Sequence, residues 1–91
     1  MLFLVISSPE PAKPEQVREA RLRFRDWIAN LRTEKKVLCF YPRAGRGSVV
    51  IFDTDSNDEL HRLLTEWSEI VPASFEIYPL ATPEKAEEML R

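Results

Sequence analysis

The sequence predicts an α+β domain with the ferredoxin-like order βαββαβ: an antiparallel four-stranded sheet, two helices on one face, and a short C-terminal helix. Three observations carry this expectation. Two stretches repeat apolar residues at helical spacing. Four short apolar runs flank them in the order strand, helix, strand, strand, helix, strand. The runs also differ in how they are guarded, which separates central from edge strands.

Leu2-Phe3-Leu4-Val5-Ile6 reads as the first strand and ends at Ser7-Ser8-Pro9. A helix can begin at Pro14, because proline suits the first helical turn. Within it Val17, Ala20, Phe24, Trp27, Ile28 and Leu31 form one apolar stripe, and the helix ends near Arg32-Thr33. Val37 to Tyr41 and Ser48 to Phe52 read as two strands. The Pro42-Arg43-Ala44-Gly45-Arg46-Gly47 hairpin joins them, with glycines available for positive φ. Ser56 with Glu59 gives a capping box ahead of a second helix, whose buried stripe is Leu60, Leu63, Leu64 and Trp67. Phe75 to Leu80 is the fourth strand. Thr82-Pro83-Glu84 opens the terminal helix, with Ala86, Met89 and Leu90 on one side.

The first and third strands are apolar at both parities and free of proline, as central strands tend to be. The second is preceded by Lys35-Lys36 and bounded by Pro42, and the fourth carries Glu76 and Pro79; charge and proline guard edges. Two helices on one face cannot cover both Leu2/Leu4/Ile6 and Phe3/Val5, nor both Val49/Ile51 and Val50/Phe52. An apolar face of that size marks an interaction surface or a ligand cavity. A two-fold homodimer, sheet against sheet, is the expected arrangement.

At 91 residues the chain is expected to form one domain over residues 1–91, and its formal charge of −2 argues against a dedicated nucleic-acid binder. The βαββαβ order also belongs to RNA-recognition modules. Here, however, Arg46-Gly47-Ser48-Val49-Val50-Ile51-Phe52-Asp53 lacks the stacking aromatics in register. The single cysteine excludes an intramolecular disulfide and a cysteine-based metal cluster. The N-terminal run is too short for a membrane span, so no membrane partner is expected and the cytoplasm is the default location.

The five arginines from Arg18 to Arg32 read as a solvated helix face laced by pairs such as Glu19 with Arg23. His61 flanks the stripe of the second helix, and Cys39 reads as a small strand hydrophobe. The hairpin is more informative. Arg43 and Arg46 on a glycine loop can hold a carboxylate or phosphate, although the spacing is not that of a nucleotide-binding loop.

Met1-Leu2-Phe3-x-Val5, Phe52-Asp53, Ser56-x-x-Glu59-Leu60-His61-x-x-Leu64, and the region from Pro72 through Ile77 to Leu80 resemble the muconolactone δ-isomerase family. The resemblance implies a dimeric α+β barrel, further assembly into larger rings, and a cofactor-independent, metal-free proton shift in a small carboxylated unsaturated lactone of aromatic-compound catabolism. Such chemistry needs a base, an acid to return the proton, and a cation for the substrate carboxylate. Asp26 (or Glu19) and Tyr41 are the catalytic candidates, and Arg43, Arg46 and Ser48 the substrate-binding ones. The chain departs from the family where its isomerases carry histidine, tyrosine and asparagine entering the third strand; here stand Gly45-Arg46-Gly47-Ser48-Val49. A non-catalytic oligomeric module binding a small apolar acid, and a purely structural assembly domain, are the alternatives.

Overall fold

The computed structural model describes residues 1–91. The elements are β1 (Leu2–Pro9), α1 (Pro14–Thr33), β2 (Val37–Pro42), β3 (Ser48–Asp53), α2 (Asn57–Ile70), β4 (Ala73–Leu80) and α3 (Pro83–Glu88). The sheet order is β2-β3-β1-β4 with every neighbouring pair antiparallel, so the ferredoxin-like arrangement stands. The two apolar strands lie in the centre. Pro79 sits on the outer strand β4 opposite Phe3, where its missing N–H costs no ladder bond.

β1 and β4 are longer than their apolar runs. Ser8 and Pro9 pair with Ser74 and Ala73, and the Glu10 N–H donates to the Pro72 carbonyl at 3.2 Å. Backbone pairing needs no apolar side chain, so a hydropathy pattern ends the strand too early.

The buried core is the face that the helices cover. Phe3, Val5, Val50, Phe52 and Val37 meet Phe24, Ile28 and Leu31 of α1 and Leu60, Leu63, Leu64 and Trp67 of α2. Trp67 is its centre, with ring centroids 4.9 Å from Phe24 and 5.0 Å from Phe75. Truncating such a side chain costs about 3–5 kcal/mol. α2 starts as its sequence implies: the Ser56 hydroxyl accepts the Glu59 N–H at 3.0 Å, and Asp58 and Glu59 occupy the positive first turn. At the other helix, Lys36 N–H donates to the Leu31 carbonyl and Lys35 N–H to that of Arg32. This is a Schellman ending that holds Lys35 at φ +63.

The opposite sheet face carries Leu2, Leu4, Ile6, Val49 and Ile51, all half-buried, with Tyr41, Tyr78 and Leu80 exposed around them. A register irregularity between Val37 and Cys39 sets the parity of β2: Cys39 opposes Ile51 on this face, while Phe40 opposes Val50 on the helix side. No helix is long and apolar enough to cross a membrane.

Candidate functional site

Topology gathers four chain segments at one end of the sheet: the C-terminal end of β1, the β2–β3 hairpin, the middle of α1 and the junction of α2 with β4. A narrow cleft of about 70 Å³ opens there. Its floor is Phe24 and Trp67, and its walls carry Arg21, Arg25, Arg43 and Arg46 with Ser7 and Ser48. No aspartate, glutamate, lysine, histidine or cysteine lines it. Four guanidiniums without a carboxylate in the lining make this cleft locally cationic, although the chain as a whole is acidic.

The hairpin arginines are positioned by backbone. Arg43 Nη1 donates to the Ser7 carbonyl at 2.9 Å and to the Ser8 hydroxyl at 3.2 Å, and Arg46 Nη1 donates to the Glu10 carbonyl at 2.8 Å. The loop closes through Arg43 N–H on the Gly47 carbonyl at 2.9 Å. Gly47 holds φ +104, and a Cβ there would overlap the Ser7 carbonyl oxygen. The residue must therefore be glycine on two counts, conformation and space. Ser7, the one buried polar residue of β1, accepts the Ser48 N–H on its hydroxyl at 2.9 Å. Side chain thus replaces backbone where the β1–β3 ladder stops at Ile6 and Val49.

The helix arginines are held differently. Arg21 and Arg25 lie one turn apart on the same side of buried Phe24, and Arg25 stacks over the Phe40 ring at 5.2 Å. Neither has a carboxylate partner, because the ion pairs of the chain lie elsewhere. The expected Glu19–Arg23 pairing is likewise absent from them. Outward from the cleft, Arg21 and Arg25 also bound a shallow bowl of about 610 Å³ on α1, with Pro14, Glu15, Arg18 and Leu22.

Of the residues singled out from sequence, Arg43, Arg46 and Ser48 line the cleft. Asp26 does not: it is exposed, about 200° around α1 from both Phe24 and Ile28, on the side away from the core. Tyr41 lies 67 % exposed on the open sheet face, opposite Val49. Glu19 and His61 are exposed on their helices, and Cys39 is half-buried on the open face. Sequence reasoning missed Arg21 and Arg25. No local signal separates them from the other arginines of α1, because only the packing of the helix beside the hairpin sets them apart.

No trio of His, Cys, Asp or Glu side chains is grouped to hold a metal ion. Two titrations are displaced. Tyr78, on the open face, accepts a raised pKa because its hydroxyl donates to Glu76 at 2.8 Å and the neighbouring carboxylate opposes a second negative charge. Lys36, at the end of the sheet remote from the cleft, is raised first by its hydrogen bond to Glu59, with Asp55 adding to it against a desolvation penalty.

Fold and cleft together define a small ferredoxin-like α+β domain with an arginine-walled, aromatic-floored recess at the hairpin end of its sheet. The chain belongs to the family described as a domain of unknown function, DUF3303, whose model matches residues 1–91. No curated protein matches it in sequence. Among solved structures it is similar to 5-chloro-2-hydroxyhydroquinone dehydrochlorinase from Burkholderia phenoliruptrix, in complex with 2,5-dihydroxybenzoquinone. The match has a TM-score of 0.76 and 17 % identity, covering 93 % of this chain and 98 % of that one. At that identity the likeness carries the fold. It agrees with the ferredoxin-like α+β fold that the sequence predicts.

Proposed function

We propose that the cleft binds a small, cyclic, unsaturated organic anion, and that the domain takes part in the breakdown of such ring compounds. The observation that carries this reading is Arg21 and Arg25, two guanidiniums without carboxylate partners above an aromatic floor. Fixed cations favour a delocalised carboxylate or enolate, and aromatic faces favour a flat ring. Cavities that hold a benzene ring measure about 150 Å³. The recess of about 70 Å³ is smaller than that, and takes the charged group of such a ligand with the edge of its ring. The similar dehydrochlorinase acts on a chlorinated hydroxyhydroquinone, and the dihydroxybenzoquinone in its structure is a flat, acidic ring of this class.

Within this reading the reaction is a cofactor-independent proton shift, as in a carboxylated lactone isomerase, or a related elimination. Cations in the cleft stabilise the enolate-like charge that either reaction develops. A second reading, a binding module without turnover, draws on the absence of any carboxylate or imidazole from the cleft lining. Nuclear magnetic resonance of the protein with muconolactone and with 2,5-dihydroxybenzoquinone separates them. Shifts at the Trp67 indole with conversion of the lactone support the enzyme, and shifts without conversion support the module. No shift at millimolar ligand overturns both.

The open sheet face supports self-association as part of the same proposal. Burying Leu4, Ile6, Val49 and Ile51 against a second copy gains about 25 cal/mol per Å² of apolar area. Sedimentation is expected to show twice the 10.6 kDa chain mass, falling to one chain in Val49→Lys with the fold retained. A monomeric unmodified protein contradicts it.

A further inference from the structure

Arg21 and Arg25 line both the cleft and the bowl on α1, so the two recesses share a wall. A cleft of about 70 Å³ takes a charged group and the edge of a ring; under the ring-anion reading the rest of the ligand lies outside it. The bowl adjoins that opening. It brings one further cation, Arg18, and one apolar side chain, Leu22, which is 60 % exposed.

Helix geometry sets these side chains in order. At about 100° per residue, Arg18 lies about 20° around α1 from Arg25 on one side and Arg21 about 40° on the other, so the three form one stripe. Leu22 borders the stripe, about 60° from Arg25. The acids stand beyond it, on the side away from Phe24: Glu15 about 80° from Arg25, Asp26 about 100° and Glu19 about 120°. Glu15 is the one acid three or four residues from any of the three arginines, and neither it nor they join the ion pairs of the chain. Like charges at those spacings are neighbours and oppose the helix. The stripe keeps two such pairs, Arg18 with Arg21 and Arg21 with Arg25, which bound anions would relieve.

We propose that Arg18 is a second anion subsite and that the ligand is a flat diacid. One acidic group enters the cleft beside Arg21 and Arg25, the ring lies against Leu22, and the other acidic group meets Arg18. Along the helix axis Arg18 stands about 4.5 Å from Arg21 and about 10.5 Å from Arg25. Carboxylates on opposite carbons of a benzene ring suit that interval, whereas carboxylates on adjacent carbons fall to the same arginine. The inference rests on the ring-anion reading for the first acidic group; the second is what Arg18 adds.

The test is calorimetry of the full chain at low ionic strength with benzoate, terephthalate (carboxylates on opposite ring carbons) and phthalate (carboxylates on adjacent ones). Terephthalate is expected to bind about fivefold tighter than benzoate, the gain of one solvent-exposed ion pair, and tighter than phthalate. Arg18→Gln is expected to remove that preference. Arg23→Gln, which deletes the same charge about 160° around α1 from Arg25, is expected to keep it. Terephthalate binding no tighter than benzoate overturns the proposal and leaves the ring-anion reading standing. So does a preference that survives Arg18→Gln. A gain that phthalate shares in full, or that Arg23→Gln abolishes equally, also overturns it, because overall charge then explains the effect. If none of the three binds at millimolar concentration, the proposal and the ring-anion reading fall together.

Discussion

The two ends of the sheet handle charge in opposite ways. At the end where β1 begins, Lys36 Nζ meets Glu59 at 3.1 Å and Asp55 at 3.4 Å, and Glu59 also accepts the Asp55 N–H at 3.1 Å. Charge there closes on itself and ties the start of β2 to the start of α2. At the hairpin end four guanidiniums line a cleft that has no acid in its walls. Two of them are occupied by carbonyls of the β1 end, and two are not. A structural cluster satisfies its charges internally, whereas a binding site leaves charge outstanding for something that arrives later. The proposed site lies at the hairpin end for that reason, with Arg43 and Arg46 as its scaffold and Arg21 and Arg25 as its proposed ligand contacts.

The largest expected effect tests the scaffold. Gly47→Ala forces a Cβ onto the Ser7 carbonyl at φ +104 and is expected to cost about 2–3 kcal/mol of folding stability in urea titrations. Gly45→Ala, at φ +91 with open space around the new methyl, is expected to cost about 1 kcal/mol. Equal costs at the two glycines remove the close approach between hairpin and β1 from the account.

At the opposite end the self-closed cluster predicts a pH dependence. The folded protein binds the Lys36 proton more tightly than the unfolded chain does, so this stabilisation is complete below the ordinary lysine value of 10.5. It is lost as pH rises through the higher folded value. Between neutral pH and about pH 10, melting curves are expected to show Lys36→Met below the unmodified protein by a constant margin, with the margin closing above it. A margin that widens with alkali contradicts the assignment.

The smallest effect concerns the same end. Lys35 occupies the left-handed position of the α1 ending at φ +63, so Lys35→Gly is expected to raise stability by up to about 1 kcal/mol. Destabilisation would mean that the lysine side chain contributes more than its backbone strain costs.

Much of the fold was legible because parity and capping are local. The two-sided apolar strands, the guarded edges and the Ser56 cap each follow from a few neighbouring residues, and the structure reproduces them. The irregularity at Leu38 was not legible, since nothing in Val37-Leu38-Cys39 announces an extra residue; it decides that Phe40 joins the core side and Tyr41 the open face. The site was half legible. Gly45 and Gly47 marked a loop able to present Arg43 and Arg46, and both line the cleft. Arg21 and Arg25 were hidden among five helix arginines that look alike as solvated charge. Only tertiary topology, which sets α1 beside the hairpin, distinguishes them from Arg23 and Arg32.

The most direct measurement compares the two arginine roles by calorimetry with 2,5-dihydroxybenzoquinone and with muconolactone, alongside thermal melting of each variant. Arg21→Ala and Arg25→Ala are expected to weaken binding about ten- to a hundredfold, the loss of a charge-assisted contact of about 1.5–3 kcal/mol. Their melting temperature should scarcely change, beyond at most about 1 kcal/mol for the Arg25 stack on Phe40. Arg43→Ala is expected to lower the melting temperature, because its loss frees the Ser7 carbonyl and loosens the hairpin. Unchanged affinity in the Arg21→Ala, Arg25→Ala double variant would contradict the account.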